Sequence, residues 1–114
     1  IGLSLHHFPI GAKLDLMRQV GRIVGPRGLF LIYENTSPAG EDREGWLQRW
    51  DEQEPLWTAY TPGEWDAMRT HVHAADFPET TTRWHELGHA AGFREVRELF
   101  VAPTDLFRMY AFRA

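Results

Sequence analysis

The sequence predicts a mixed α/β fold from three features: a strand, helix and strand in succession up to Glu34, a helical middle, and two strand-forming runs at the C-terminal end. Two strands separated by one helix imply a right-handed crossover and therefore parallel pairing. The C-terminal runs, separated by only Pro103, Thr104 and Asp105, imply an antiparallel hairpin.

Taken in order, Ile1–Phe8 (IGLSLHHF) starts apolar and turns polar, as a buried strand does where it empties into a loop. Pro9 and Gly11 close it. From Ala12 to Val24, Leu16, Val20 and Ile23 recur at helical spacing with Met17 and Val24 beside them, while Lys13, Asp15, Arg18 and Arg22 take the other face. Gly25-Pro26-Arg27-Gly28 ends that helix, because proline cannot continue it and glycine tolerates the turn. Leu29–Tyr33 (LFLIY) is continuously apolar, the pattern of an inner parallel strand with both faces covered, and it ends at Glu34. Asn35–Arg43 is a loop by composition.

Residues 45–75 form a helical insertion in a single partial domain covering residues 1–114. Within it, Thr61-Pro62-Gly63-Glu64 marks a helix start: a capping threonine, proline at the first helical position, and a glutamate placed to complete a capping box. That helix is expected to reach about His73. After Phe77-Pro78, the threonines at 80 to 82 offer a cap for a helix from about Arg83 to Ala91, stopped by Gly92. Arg94–Ala102 and Leu106–Arg113 are the two strands of the hairpin.

Charge and composition narrow the function classes. Sixteen acidic against twelve basic residues give a net charge of -4, which argues against nucleic acid or an anionic membrane as partner. The chain has no cysteine, which removes disulfides and thiolate metal sites and fits a reducing cytoplasm. No apolar run approaches the roughly 20 residues of a membrane span.

The most conspicuous motif is His85-Glu86-Leu87-Gly88-His89-Ala90-Ala91-Gly92, which reads HExxHxxG. On a helix, positions four apart share a face, so His85 and His89 would meet one zinc ion while Glu86 activates a bound water. A zinc metallopeptidase of this type places a third ligand three residues past the glycine. Here that residue is Glu95, at the start of an expected strand, and Met109-Tyr110 lies in a strand pattern rather than a methionine turn.

The order of the pieces points elsewhere. SLHHFP at a strand end, a helix with LMRQVGRIV, the turn GPRG, the strand LFLIYE, a helix ending in HAAGF, then REVRELFV and FRMYAF strongly resemble the C-terminal half of a class I S-adenosylmethionine-dependent methyltransferase. The resemblance covers nearly the whole chain. It implies a Rossmann-like sheet in the order fourth, fifth, seventh, sixth strand, with the parallel strands followed by the antiparallel hairpin. It also implies that Trp84, Leu87, Gly88 and Ala91 pack a helix on that sheet, leaving the HELGH histidines without a chemical role.

In an open α/β sheet the ligand lies beyond the C-terminal ends of the strands. The resemblance therefore places Ser4 and Leu5 beside the cofactor S-adenosylmethionine, and His6 or His7 as the base that takes a proton from the methyl acceptor, histidine titrating near neutrality. Glu34, at the end of the next strand, reaches the same cleft or is a solvated carboxylate. Trp46, Trp50, Trp57 and Tyr60 form a lid over a small-molecule acceptor or pack the insertion against the sheet. His71 and His73 are two apart, a spacing that diverges on a helix, and no metal is assigned. No GxGxG loop and no ribose-binding acidic residue matching the family's is present, so the chain alone is expected neither to bind the cofactor tightly nor to transfer methyl groups. Its first strand would be an exposed edge through which two copies pair. A non-catalytic binding or dimerisation module is the remaining alternative to the two enzymes.

Overall fold

A four-stranded sheet organises the chain, and the computed structural model describes it over residues 1–114. β1 (Leu29–Ser37) lies between the two-residue β2 (Glu79–Thr80) and β4 (Phe107–Arg113), with β3 (Glu95–Val101) outermost. β2 runs parallel to β1, whereas β4 is antiparallel to both β1 and β3. The hairpin and its inverted placement, last strand beside β1, are as the sequence predicts.

The first strand is the main correction. Instead of spanning Ile1–Phe8 it ends after Leu3, whose N–H donates to the Tyr33 carbonyl at 2.7 Å while the Tyr33 N–H donates to Ile1 at 3.1 Å. One parallel bridge, Gly2 to Tyr33, results. Leu3 then adopts a left-handed φ of 49°, a conformation that costs a non-glycine residue, and Leu5–His7 close a 3₁₀ turn. The cause is Glu34: its buried carboxylate accepts the amides of Ser4, Leu5 and His6, which are thereby withdrawn from any sheet ladder.

β1 also differs from expectation. It continues through Asn35, Thr36 and Ser37, where a loop is expected, because β2 supplies partners for Thr36 and Ser37. At its start the strand is covered on one face only: Phe30 and Ile32 are buried, whereas Leu29 and Leu31 are 46% and 41% exposed. On the covered face, α1 (Ile10–Val24) and α4 (Thr81–Ala90) pack around Met17, Phe30, Ile32, Trp84, Phe93 and Phe112.

α1 packs on the core through Met17, with Leu16, Val20 and Val24 partly buried as its apolar period suggests, but two positions depart from that face. Ile23 is 83% exposed and Lys13 is fully buried. The ammonium group of Lys13 donates to the Phe77 carbonyl at 2.7 Å and to the Glu79 carboxylate at 2.6 Å, so the cost of burying the charge is offset by a paired and bonded environment. The partner arrives from β2, 66 residues away, and no helical period can show it. α4 is closely apposed to the sheet at Gly88, where a Cβ would lie 2.5 Å from Val96 and 2.7 Å from Phe112.

Two further helices, α2 (Arg43–Asp51) and α3 (Pro62–Ala75), build a second apolar cluster with Leu106 around Trp46, Trp50 and Trp65. Asp42 caps α2 by accepting from Gly45, and Thr61 and Glu64 form the expected capping box on α3. No helix is long and apolar enough to cross a membrane.

Candidate functional site

The end of β1 carries polar side chains into the protein interior. Glu34, Asn35 and Thr36 are all buried, and each is bonded. Thr36 accepts from the Trp84 indole at 3.1 Å and donates to the Glu34 carbonyl at 3.0 Å. One Glu34 oxygen accepts from Ser4 and Leu5 N–H, both at 2.8 Å, and the other from the His6 ring at 2.8 Å and its amide at 3.3 Å. Burial opposes the charge, but the bonds from the His6 ring, Ser4 and Leu5 outweigh it, and the Glu34 pKa lies below its ordinary 4.5. Glu34 thus engages Nδ1 of His6 and turns Nε2 of the ring away from the carboxylate.

What His6 faces is Asp76, the residue that ends α3. Asp76 is 5% exposed, and its backbone is fixed: its N–H bonds Val72, its carbonyl accepts from Arg43 Nε at 2.8 Å, and the next amide, Phe77, donates to His6 at 2.7 Å. One carboxylate oxygen, Oδ2, accepts from Asn35 at 2.9 Å. The other, Oδ1, is buried with no hydrogen bond. Around it stand His7 Nδ1 at 3.5 Å, His6 Nε2 at 3.7 Å and His71 Nε2 at 3.8 Å. The His6 and His7 rings are 4.0 Å apart, and His71 meets His7 edge-on at 5.4 Å.

This cluster opens on a cleft of about 210 Å³, whose far wall is Trp50 and Phe107. The same two aromatics form one side of a second hollow of about 320 Å³, completed by Gln53, Leu56, Trp57, Thr104 and Leu106. A polar chamber and an aromatic chamber therefore adjoin at the C-terminal end of β1, with Trp50 and Phe107 common to both.

The residues singled out in the sequence divide accordingly. His6 and His7 line the polar chamber. Ser4 is exposed, but its amide is engaged by Glu34; Leu5 belongs to the core and has its amide engaged too, so neither backbone group is free for a ligand. Glu34 is fully buried and acts on the cleft only through His6. Trp46 is buried as well, its indole N–H donating to the Leu106 carbonyl at 3.1 Å, and it packs the insertion rather than lining either chamber. Trp50 stacks on Trp65 at 4.8 Å and presents an edge to both chambers. Trp57 lines the aromatic one; Tyr60 lies against Trp57 at 5.6 Å, outside the lining.

The HELGH histidines share α4 without converging. His85 meets the Tyr110 ring edge-on, His89 bonds the Phe93 carbonyl at 3.1 Å, Glu86 pairs with Arg83 at 2.7 Å, and Glu95 opens β3, opposite Arg113 of β4. Trp84, Leu87 and Gly88 are buried on the sheet, as the packing stripe requires. Of the HVH pair, His71 turns to the cleft and His73 to Asp51 at 2.9 Å. Asn35, His71 and Asp76 are the cleft residues that sequence reasoning missed. Asn35 was hidden in a segment read as loop, and Asp76 follows a helix whose end is placed only by tertiary structure.

No protein-family model matches the sequence, and no curated protein matches it. Among solved structures, one titled "PigF with SAH" is similar, with a TM-score of 0.63 at 13% identity over 99% of this chain and 29% of that one. The chain thus spans less than a third of that structure, and the likeness shows a shared fold.

Proposed function

We propose that this chain supplies the acceptor side of an S-adenosylmethionine-dependent methyltransferase whose remaining part lies outside these 114 residues. The observation that carries the reading is the structural likeness, over 99% of this chain, to a structure whose title names SAH. S-adenosylhomocysteine is what S-adenosylmethionine becomes once its methyl group has left. The position of the cleft supports it independently, since ligands of open α/β sheets gather beyond the C-terminal strand ends.

The cofactor itself does not fit these residues. The chain has no GxGxG loop, and Glu34 occupies the amides of Ser4 and Leu5 that would otherwise face it. A cofactor cradle is therefore assigned to the part outside these residues. The apolar, exposed Ile1, Leu3, Leu29 and Leu31 are where we place the junction with that part; in the isolated chain the same margin is proposed to pair two copies.

What this chain contributes is acceptor binding and proton removal. The aromatic chamber between Trp50, Trp57 and Phe107 suits a small planar molecule, and its reacting end would project past Phe107 toward His6, His7 and Asp76. Glu34 holds the His6 ring in one orientation, the arrangement by which a base is positioned. The test joins the chain to its upstream coding region and measures methyl transfer from labelled S-adenosylmethionine to a panel of hydroxylated aromatic compounds. Transfer is expected from the longer protein and none from the chain alone. Micromolar cofactor binding by the isolated chain would contradict the division of labour, and a longer protein that binds no S-adenosylhomocysteine would contradict the reading itself.

A further inference from the structure

The buried oxygen Asp76 Oδ1 is the most unusual atom in the molecule. A carboxylate oxygen withdrawn from water without a donor costs on the order of several kcal/mol, so such atoms are normally bonded. Its neighbours make the situation sharper. With its Nδ1 engaged by Glu34, His6 turns Nε2 toward this oxygen, 3.7 Å away. His7 Nδ1 stands 3.5 Å from the same oxygen. Both ring nitrogens face the oxygen across a gap too long for a good hydrogen bond.

The gap is the size of a shared cation. In a tetrahedral site with metal–nitrogen and metal–oxygen bonds of about 2.0–2.1 Å, neighbouring ligand atoms are about 3.4 Å apart. One ligand atom from each of His6, His7 and Asp76 lies within 4.8 Å of the other two. We propose that His6, His7 and Asp76 bind a divalent cation of the zinc class, with its fourth position open to the cleft.

Three features of the surroundings fit that use. Imidazole nitrogen with one carboxylate is a donor set that suits zinc rather than magnesium or calcium, which favour all-oxygen sites. Histidines that bind metals characteristically donate their other ring N–H to a carboxylate, and His6 does so to Glu34 at 2.8 Å. Asp76 is held from both sides, by Asn35 at Oδ2 and by Arg43 at its carbonyl, so the ligand oxygen is fixed in place. His7 has the adjustment to make: its Nδ1 is 3.2 Å from the Ala75 carbonyl, and that bond is exchanged for the cation as the ring takes the tautomer with its proton on Nε2. His71, at 3.8 Å from Asp76 and largely exposed, borders the open position.

The cation site stands on this geometry alone; its use in catalysis rests on the methyl-transfer reading. There it would take the acceptor's hydroxyl oxygen, and a hydroxyl bound to zinc surrenders its proton to water far more readily than a free one. His6 would then be a ligand, and proton removal would follow from coordination rather than from a free imidazole.

The experiment titrates the isolated chain with zinc by calorimetry and with cobalt(II) by visible absorption, cobalt reporting a tetrahedral nitrogen and oxygen environment through intense d–d bands. One equivalent is expected to bind, with Asp76→Asn and His7→Ala each lowering affinity by about 100-fold or more, while His85→Ala and His89→Ala leave it unchanged. His7 is 40% exposed at its side chain, so its replacement leaves folding intact and keeps the test decisive if Asp76→Asn is unstable. Absence of saturable binding would overturn the proposal, as would binding that survives both cleft variants or vanishes with the α4 pair. A chelator added to the longer enzyme separates the two readings. Methyl transfer that persists without metal removes the cation's catalytic role and spares the methyltransferase, whereas metal binding in a protein that never transfers methyl groups does the reverse.

Discussion

Two pairs of histidines are set by the same sequence in opposite circumstances. His85 and His89 belong to a recognisable metal-site pattern on a regular helix, yet each ends on a local partner, an aromatic edge for one and the Phe93 carbonyl for the other. His6 and His7 belong to no strong pattern, yet a 3₁₀ turn gathers them with His71 around one buried carboxylate oxygen. Helical spacing brings two ligands to one face, but it does not supply a third from elsewhere in the fold. Convergence is a tertiary property, and here it is produced by a single buried glutamate folding the chain back after Leu3.

The comparison extends to the carboxylates beside the two pairs, where it is broken most directly. Glu34→Ala removes the buried carboxylate that accepts from Ser4, Leu5 and His6, and is expected to destabilise the chain in urea unfolding by about 1–3 kcal/mol for each donor left unpaired. Glu86→Ala removes only a surface partner of Arg83 and should change stability by no more than about 0.5 kcal/mol. Equal effects would mean that Glu34 does not organise the turn. Next in size is Gly88→Ala, expected to cost about 1–3 kcal/mol because its Cβ would press on Val96 and Phe112; a neutral result would mean that α4 can retreat from the sheet.

The pH dependence separates the two ends of the molecule. Glu34 has a folded-state pKa below 4.5, so its contribution is present above that value and is lost as pH falls through the lower, folded one. Glu34→Gln should flatten this acid limb. Tyr110, on the sheet beneath His85, is pushed up to about 12 by burial. Its contribution is whole below pH 10 and is lost as pH rises from 10 towards 12, and Tyr110→Phe should remove that alkaline loss. Small effects are also expected of His85→Ala and His89→Ala, each within about 0.5–1.5 kcal/mol, the larger for His89, which loses one hydrogen bond.

Much of the scaffold was legible because it rests on local rules. The Thr61 capping box, the Thr80 cap of α4, the packing stripe through Trp84, Leu87 and Gly88, and the hairpin around Pro103 were all readable, since each is decided by neighbours in the chain. The errors occur where a distant group decides. Lys13 is buried by a carboxylate from β2, and β1 is prolonged by a two-residue partner that no propensity could reveal. Glu34 ends the first strand from 30 residues away. The site was half visible for the same reason. His6 and His7 could be placed by the rule for strand ends, but Asp76 acquires its position only from where α3 stops and from what Arg43 and Asn35 hold in place.

The most direct test of the account asks which histidines serve the reaction. In the longer polypeptide proposed to carry the cofactor cradle, kcat for methyl transfer would be compared between His7→Ala and Asp76→Asn on one side and His85→Ala and His89→Ala on the other. The account predicts a loss of at least about 100-fold for the cleft pair, the contribution expected of proton removal at a reacting group, and no more than a small change for the helix pair. Loss of activity with the α4 variants and retention with the cleft variants would contradict it.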